Sequence, residues 1–166
     1  PGSITPAKIQ KVLKKKIKVK KKIKNYFVNS YYKPNIQINL SKILFRFANT
    51  SIDISDGLIA DLEKMINKQD LSYVLNCDDV PISSSLSSLI KIKRLNKSTL
   101  ISRGDDYQIL FTASPTKARI IHHTSKNFGI KITKIGKITS GNKKSIIIDQ
   151  KGKQILIKNK GYAHQF

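Results

Sequence analysis

"SIDISDGLIADL", residues 51–62, decides how this chain is read. It opens on a short β-branched run, turns at Ser55, Asp56 and Gly57, and enters a series of apolar positions, Leu58, Leu62, Met65 and Ile66, spaced by three and four. That pattern predicts a strand, a turn and a helix. Asp53 ends the strand. Ser55 and Asp56 stand in the turn, where either side chain is suited to cap the helix, and Gly57 permits close backbone approach. Asp53, Asp56 and Asp61 crowd into this stretch although the chain has only 10 acidic residues against 32 basic ones. Two readings stay open on spacing alone. In one, the Asp53 and Asp56 carboxylates converge on a hard divalent cation such as Mg²⁺, which takes oxygen ligands and shares them with phosphates. Ser55 and the N–H groups at the helix start then face a phosphate. In the other, the acids are a helix cap and ordinary surface charges.

Upstream, residues 4–32 form the most basic segment, with Ile9, Val12, Leu13, Ile17, Ile23 and Phe27 near helical spacing. It reads as a helix with one buried stripe and a solvated lysine face. "KPN" at 33–35 interrupts it, and Ile36, Leu40, Ile43, Leu44 and Phe47 mark a second amphipathic helix. Downstream, "LSYVLN" (71–76) reads as a strand, "SSSLSSLIKIKRL" (83–95) as a helix, and "DYQILFTA" (106–113) as a strand whose apolar run fits a central position. Ser114 and Pro115 start a helix that closes on Gly129. "IKITKIGKIT" (130–139) alternates as a strand broken near Gly136, and 144–159 reads as a hairpin turning at Lys151 and Gly152. The expected class is α+β, a mixed sheet with helices packed on one face.

The formal net charge is +22, which raises the prospect of a polyanionic partner. Arginine, the usual reader of bases and phosphates, is confined to Arg46, Arg94, Arg103 and Arg119, and lysine is spread along the chain. Nucleic acid is therefore not the expected partner. A single cysteine, Cys77, excludes an internal disulfide and a cysteine-based metal site, which fits a reducing cytoplasm. No apolar run approaches the ~20 residues of a membrane helix. "PGS" at 1–3 is read as an appended scar. Asp105 and Asp106 lead into the strand at 106–113. Asp78 and Asp79 read as a loop turn, and His122 and His123 as structural or exposed. No phosphate loop of the Walker type and no Ser/His/Asp arrangement is legible.

Three passages together, "SIDISDGLIADL", "SRGDDYQILFT" (102–112) and "GYAHQF" (161–166), resemble the C-terminal half of the thiamine-monophosphate kinases. "YYKPNIQINLSKIL" (31–44) and "ITKIGKIT" (132–139) resemble the family's intervening stretches. The resemblance covers most of residues 26–166. It implies a C-terminal domain of the aminoimidazole ribonucleotide synthetase-like superfamily, ATP-dependent phosphorylation of thiamine monophosphate to thiamine diphosphate with Mg²⁺, and direct transfer of the γ-phosphoryl group. Carried across position by position, Asp53 and Asp56 would be Mg²⁺ ligands and Ser55 would touch ATP. Asp105, Tyr162 and Phe166 would contact the substrate. The chain departs from the family pattern at Arg103, Gln108 and Ala163.

Members of that family are about twice this length, in the range of two domains. The expectation is thus a C-terminal fragment or a degenerate, truncated product. Residues 4–30 would be a basic helical arm or the end of a missing N-terminal domain, and residues 31–166 the kinase domain. The full-length protein is expected to be a homodimer, and the isolated chain is expected not to turn over. The alternatives are a basic binding module that has lost catalysis, or another ATP-using enzyme of the same superfamily.

Overall fold

The computed structural model describes residues 20–67, 69–93, 95–102, 104, 107–141, 144–157 and 160–161. In chain order these form α1 (Lys21–Tyr32), α2 (Ile38–Ser41), β1 (Thr50–Asp53), α3 (Leu58–Ile66), β2 (Leu71–Asn76), α4 (Ser84–Lys93), α5 (Lys97–Ile101), β3 (Ile109–Thr112), α6 (Ala118–Asn127), β4 (Gly136–Ser140) and β5 (Ile146–Ile148). Short 3-10 turns lie at Leu44–Arg46 and Pro115–Lys117. The α+β class holds, with a division the sequence did not announce. β1 pairs antiparallel with β3, while β2 is the middle strand of a second, mixed sheet, antiparallel to β4 and parallel to β5.

Helix α3 joins the two sheets. Its buried stripe, Leu58, Ile59, Leu62, Met65 and Ile66, shares one core with Leu110 of β3, Tyr73 and Leu75 of β2 and Ile147 of β5. Full burial of each such aliphatic side chain is worth about 1.5–3 kcal/mol, so this stripe fixes α3, and the turn before it, against both sheets. A second cluster seats Phe27 of α1 among Leu86, Leu89 and Leu100 from α4 and α5. A third holds Leu40, Leu44 and Phe47 against Phe111 and the α6 residues Ile120 and Ile121.

Four local expectations are corrected. The second amphipathic helix is broken into α2 and a 3-10 turn. The Ser41 hydroxyl donates back to the Ile38 carbonyl, and the Ile43 N–H closes on the Leu40 carbonyl, a tighter i to i−3 pattern. β3 is not central. Among the described residues it pairs with β1 only. Its apolar run arises because both faces are covered, Leu110 by the main core and Ile109 and Phe111 by the α6 cluster. Residues 130–135 are not strand. Ile130 and Ile132 join the α6 cluster and Ile135 the main core, so this segment crosses between clusters before β4 begins. The turn after β5 is where expected, with Gly152 at φ +76° and Asp149 accepting from the N–H groups of Lys151 and Lys153. Among the described residues, however, its returning arm is joined by an isolated bridge, Ile148 to Gln154, rather than by a named strand.

Among the described residues no helix is long and apolar enough to cross a membrane. The scar at 1–3, the arm's residues 4–19, and the candidate substrate residues Asp105, Tyr162 and Phe166 lie outside the described residues.

Candidate functional site

The ladder between β1 and β3 continues one step past Asp53. Ile54 donates to the Gln108 carbonyl (2.8 Å) and accepts from the Tyr107 N–H (2.9 Å). Asp53 itself is exposed at the strand's end. The chain then reverses through Ser55, Asp56 and Gly57. Gly57 has φ +130°, ψ +150°, a conformation that a side chain would strain.

What closes this turn is Asp61. Its carboxylate is fully buried, and one oxygen, Oδ2, accepts the N–H groups of Ser55 (2.9 Å), Asp56 (3.0 Å) and Gly57 (3.2 Å). Its position in the first turn of α3 also suits a negative charge. Neither Ser55 nor Asp56 caps the helix. The N-cap is Gly57, with no side-chain cap bond. The three turn N–H groups are bonded to Asp61, so of the expected phosphate-facing groups the Ser55 hydroxyl and the first N–H groups of α3 are not taken up by this carboxylate. Lys64 completes the arrangement. Its Nζ donates to Asp61 Oδ1 (2.9 Å) and pairs with Asp56 Oδ2. Its pKa is raised by the hydrogen bond to Asp56 first and that to Asp61 second.

Two glycines from distant parts of the chain press against the same turn. A Cβ at Gly104 would lie 1.9 Å from the Ser55 carbonyl oxygen, and one at Gly161 would lie 2.3 Å from the Ala60 Cβ and 2.9 Å from the Asp56 carbonyl oxygen. The Lys160 carbonyl accepts the Ala60 N–H (3.0 Å), and the Lys160 ammonium meets Glu63 (2.6 Å). Residues 104, 107–108 and 160–161 therefore converge on residues 54–61. Arg103 lies outside the described residues. The close backbone approach falls at Gly104, beside it.

Of the expected site residues, Asp53 ends β1, and Ser55 and Asp56 lie in the turn that follows it. The chain neighbours of Asp105 and Tyr162, namely Gly104 and Gly161, lie against that turn. Among the described residues no group of three or more His, Cys, Asp or Glu side chains is placed to hold a metal. Two carboxylates still suit Mg²⁺, which binds through one or two of them together with substrate phosphates and waters. The Lys64 ammonium at Asp56 shows that this point accepts a positive charge. Elsewhere the chemistry is quiet. His122 and His123 are exposed on α6. The Cys77 thiol is buried, and its pKa is raised chiefly by that burial. The sequence reading missed Lys64 and Gly161 as parts of the site. The only sequence signal for Lys64 was its i+3 spacing from Asp61.

No family model matches the chain. Over 143 residues it is 36% identical to the thiamine-monophosphate kinase of Buchnera aphidicola subsp. Schizaphis graminum, covering 86% of this chain and 44% of that protein. It superposes on the thiamine monophosphate kinase of Aquifex aeolicus with a TM-score of 0.68 at 22% identity, covering 93% of this chain and 49% of that one. A further solved structure, AaThiL complexed with AMPPCP and TMP, gives a TM-score of 0.71 at 22% identity, over 93% of this chain and 47% of that one. The fold extends to the Escherichia coli hydrogenase maturation protein HypE, with a TM-score of 0.58 at 10% identity over 73% of this chain and 39% of that one. The fold is thus that of the aminoimidazole ribonucleotide synthetase-like proteins. The chain spans about half the length of the kinases it matches, and it is a relative of the thiamine-monophosphate kinases corresponding to their C-terminal part.

Proposed function

We propose that this chain supplies the C-terminal part of an ATP-dependent kinase that converts thiamine monophosphate to thiamine diphosphate in the cytoplasm. The observation that carries the reading is the convergence of three separate segments on one acidic turn, with Gly104 and Gly161 packed against the backbone of Ser55 and Asp56. These are the same three segments whose sequences resemble the kinases.

In this reading Asp53 and Asp56 hold Mg²⁺, Ser55 donates to ATP, and Asp105, Tyr162 and Phe166 meet the thiamine substrate. Bound Mg²⁺ would supply charge neutralisation to the transferring phosphoryl group, since such transfers depend mainly on positioning and electrostatics. The chain's own part is to fix the turn. Asp61 locks the backbone of residues 55–57, so that the Ser55 hydroxyl and Asp56 carboxylate start from a set geometry. A further domain, which residues 4–30 would adjoin, completes the site, and the assembled kinase is a homodimer.

The test is a kinase assay with ATP, Mg²⁺ and thiamine monophosphate, following thiamine diphosphate. It is run on this chain alone and on this chain joined to the first half of the Buchnera kinase. Turnover by the joined protein and none by either part supports the reading. Robust turnover by this chain alone contradicts the need for a further domain. A folded but inactive joined protein contradicts the proposed activity.

A further inference from the structure

We infer that Lys64 is a resident cation that holds Asp56 and must release it before that carboxylate takes a divalent metal. The inference rests on the reading of Asp56 as a metal ligand, and it assigns that site a built-in competitor. Three observations carry it. Lys64 contacts two carboxylates at once, Asp56 Oδ2 and Asp61 Oδ1. The two partners are not equivalent. Asp61 has no exposure and is anchored by three backbone N–H groups, while the Asp56 side chain is 17% exposed. The Lys64 side chain is 51% exposed, so its ammonium has water to move into.

The consequence follows from how weak such exposed pairs are. Letting go of Asp56 costs Lys64 little, because the i+3 contact to Asp61 on the same helix keeps the ammonium in place as a tethered charge. A metal arriving at Asp56 then meets two opposing effects, the pair it must break and the retained positive charge nearby. Both lower its affinity. Removing the ammonium removes both. Asp61 Oδ2 is committed to the turn, whereas its buried Oδ1 loses its cation when Lys64 is replaced, so urea unfolding of Lys64→Met is read beside the metal titration.

The experiment titrates Mn²⁺ into the full 166-residue chain and reads the free-ion signal by electron paramagnetic resonance, with Mg²⁺ as competitor. The proteins are the wild type, Lys64→Met, Lys64→Arg, Asp56→Asn and Lys64→Met with Asp56→Asn. Lys64→Gln replaces Lys64→Met if circular dichroism shows that the latter fails to fold. The expected result is about fivefold to tenfold tighter binding by Lys64→Met, the scale set by a weak ion pair plus a nearby like charge. Lys64→Arg should stay near wild type, and the double variant should lose the gain. Unchanged or weaker binding by Lys64→Met, with Asp56→Asn still lowering affinity, overturns the role of Lys64 and leaves Asp56 as a ligand. Binding that ignores Asp56→Asn, or no binding by any variant, overturns the Asp56 reading and this inference with it.

Discussion

The turn at residues 54–61 and the sheet edge at residues 146–157 are held by opposite means. In the turn, one buried carboxylate takes three backbone N–H groups, and two glycines bring other backbones to within atomic contact. At the edge, Ile147 sits in the apolar core beside Tyr73 and Leu75, the Ile155 N–H bonds the Ile147 carbonyl, and Leu156 is 84% exposed. The turn depends on atoms in fixed places, for which few residues substitute. The edge depends on apolar volume, which many residues supply. A site that must present a hydroxyl and a carboxylate in one geometry belongs on the first kind of support.

This contrast gives a ranked set of expectations, each read by urea unfolding. Asp61→Ala should cost most, about 4 kcal/mol, because one buried and two part-buried N–H groups lose their acceptor and each unsatisfied group costs about 1–3 kcal/mol before the turn relaxes. A loss under about 1 kcal/mol would mean that the turn does not need its carboxylate. Gly104→Ala should follow at about 3 kcal/mol, since the added Cβ lands 1.9 Å from the Ser55 carbonyl oxygen and the obstacle is backbone rather than a movable side chain. Ile147→Val should cost about 1 kcal/mol, the usual effect of one buried methylene. A larger loss there than at Gly104 would reverse the comparison.

The smallest effect is a pH dependence on the sheet side. The Tyr73 phenol is buried and donates to Glu63, and its pKa is raised above the ordinary 10.0, by burial first and Glu63 second. The unfolded chain loses this proton before the folded one does. The stability linked to Tyr73 is therefore complete well below pH 10 and declines as pH rises through 10 toward the folded value. About half a kcal/mol should be gone by pH 10 itself. Tyr73→Phe should unfold with a correspondingly flatter alkaline limb, and an unchanged limb would show that the phenol ionises normally.

Much of the architecture was legible because local chemistry and burial agreed. Leu58, Leu62, Met65 and Ile66 repeat at helical spacing and all face the core. Ser114 accepts from the Thr116 N–H with Pro115 next to it, as the sequence indicated. The misreadings came where several packing partners compete for one segment. Ile109, Leu110 and Phe111 look like a central strand because two different clusters cover their two faces. The alternation from Ile130 to Ile135 looks like a strand because those residues serve two clusters in turn.

At the site, the three motif passages were visible in the sequence, but their meeting point was not. That Asp61 folds back onto residues 55–57 depends on a turn conformation that spacing does not encode. The need for glycine at 104 and 161 depends on what lies opposite each, at Ser55 and Ala60. Lys64 stood one turn from Asp61 in plain view, yet only the folded turn brings Asp56 within its reach.

The central claim is that residues 55–57, 104 and 161 form one place that takes a metal-bound nucleotide. The direct test is a ¹⁵N–¹H correlation spectrum of the assigned chain during titration with Mn²⁺ and AMPPCP. The amide signals of Ser55, Asp56, Gly57, Gly104 and Gly161 should broaden together, while those of Ile147 and Ile155 stay sharp. Broadening centred elsewhere, or on the 55–57 amides without Gly104 and Gly161, would contradict that claim.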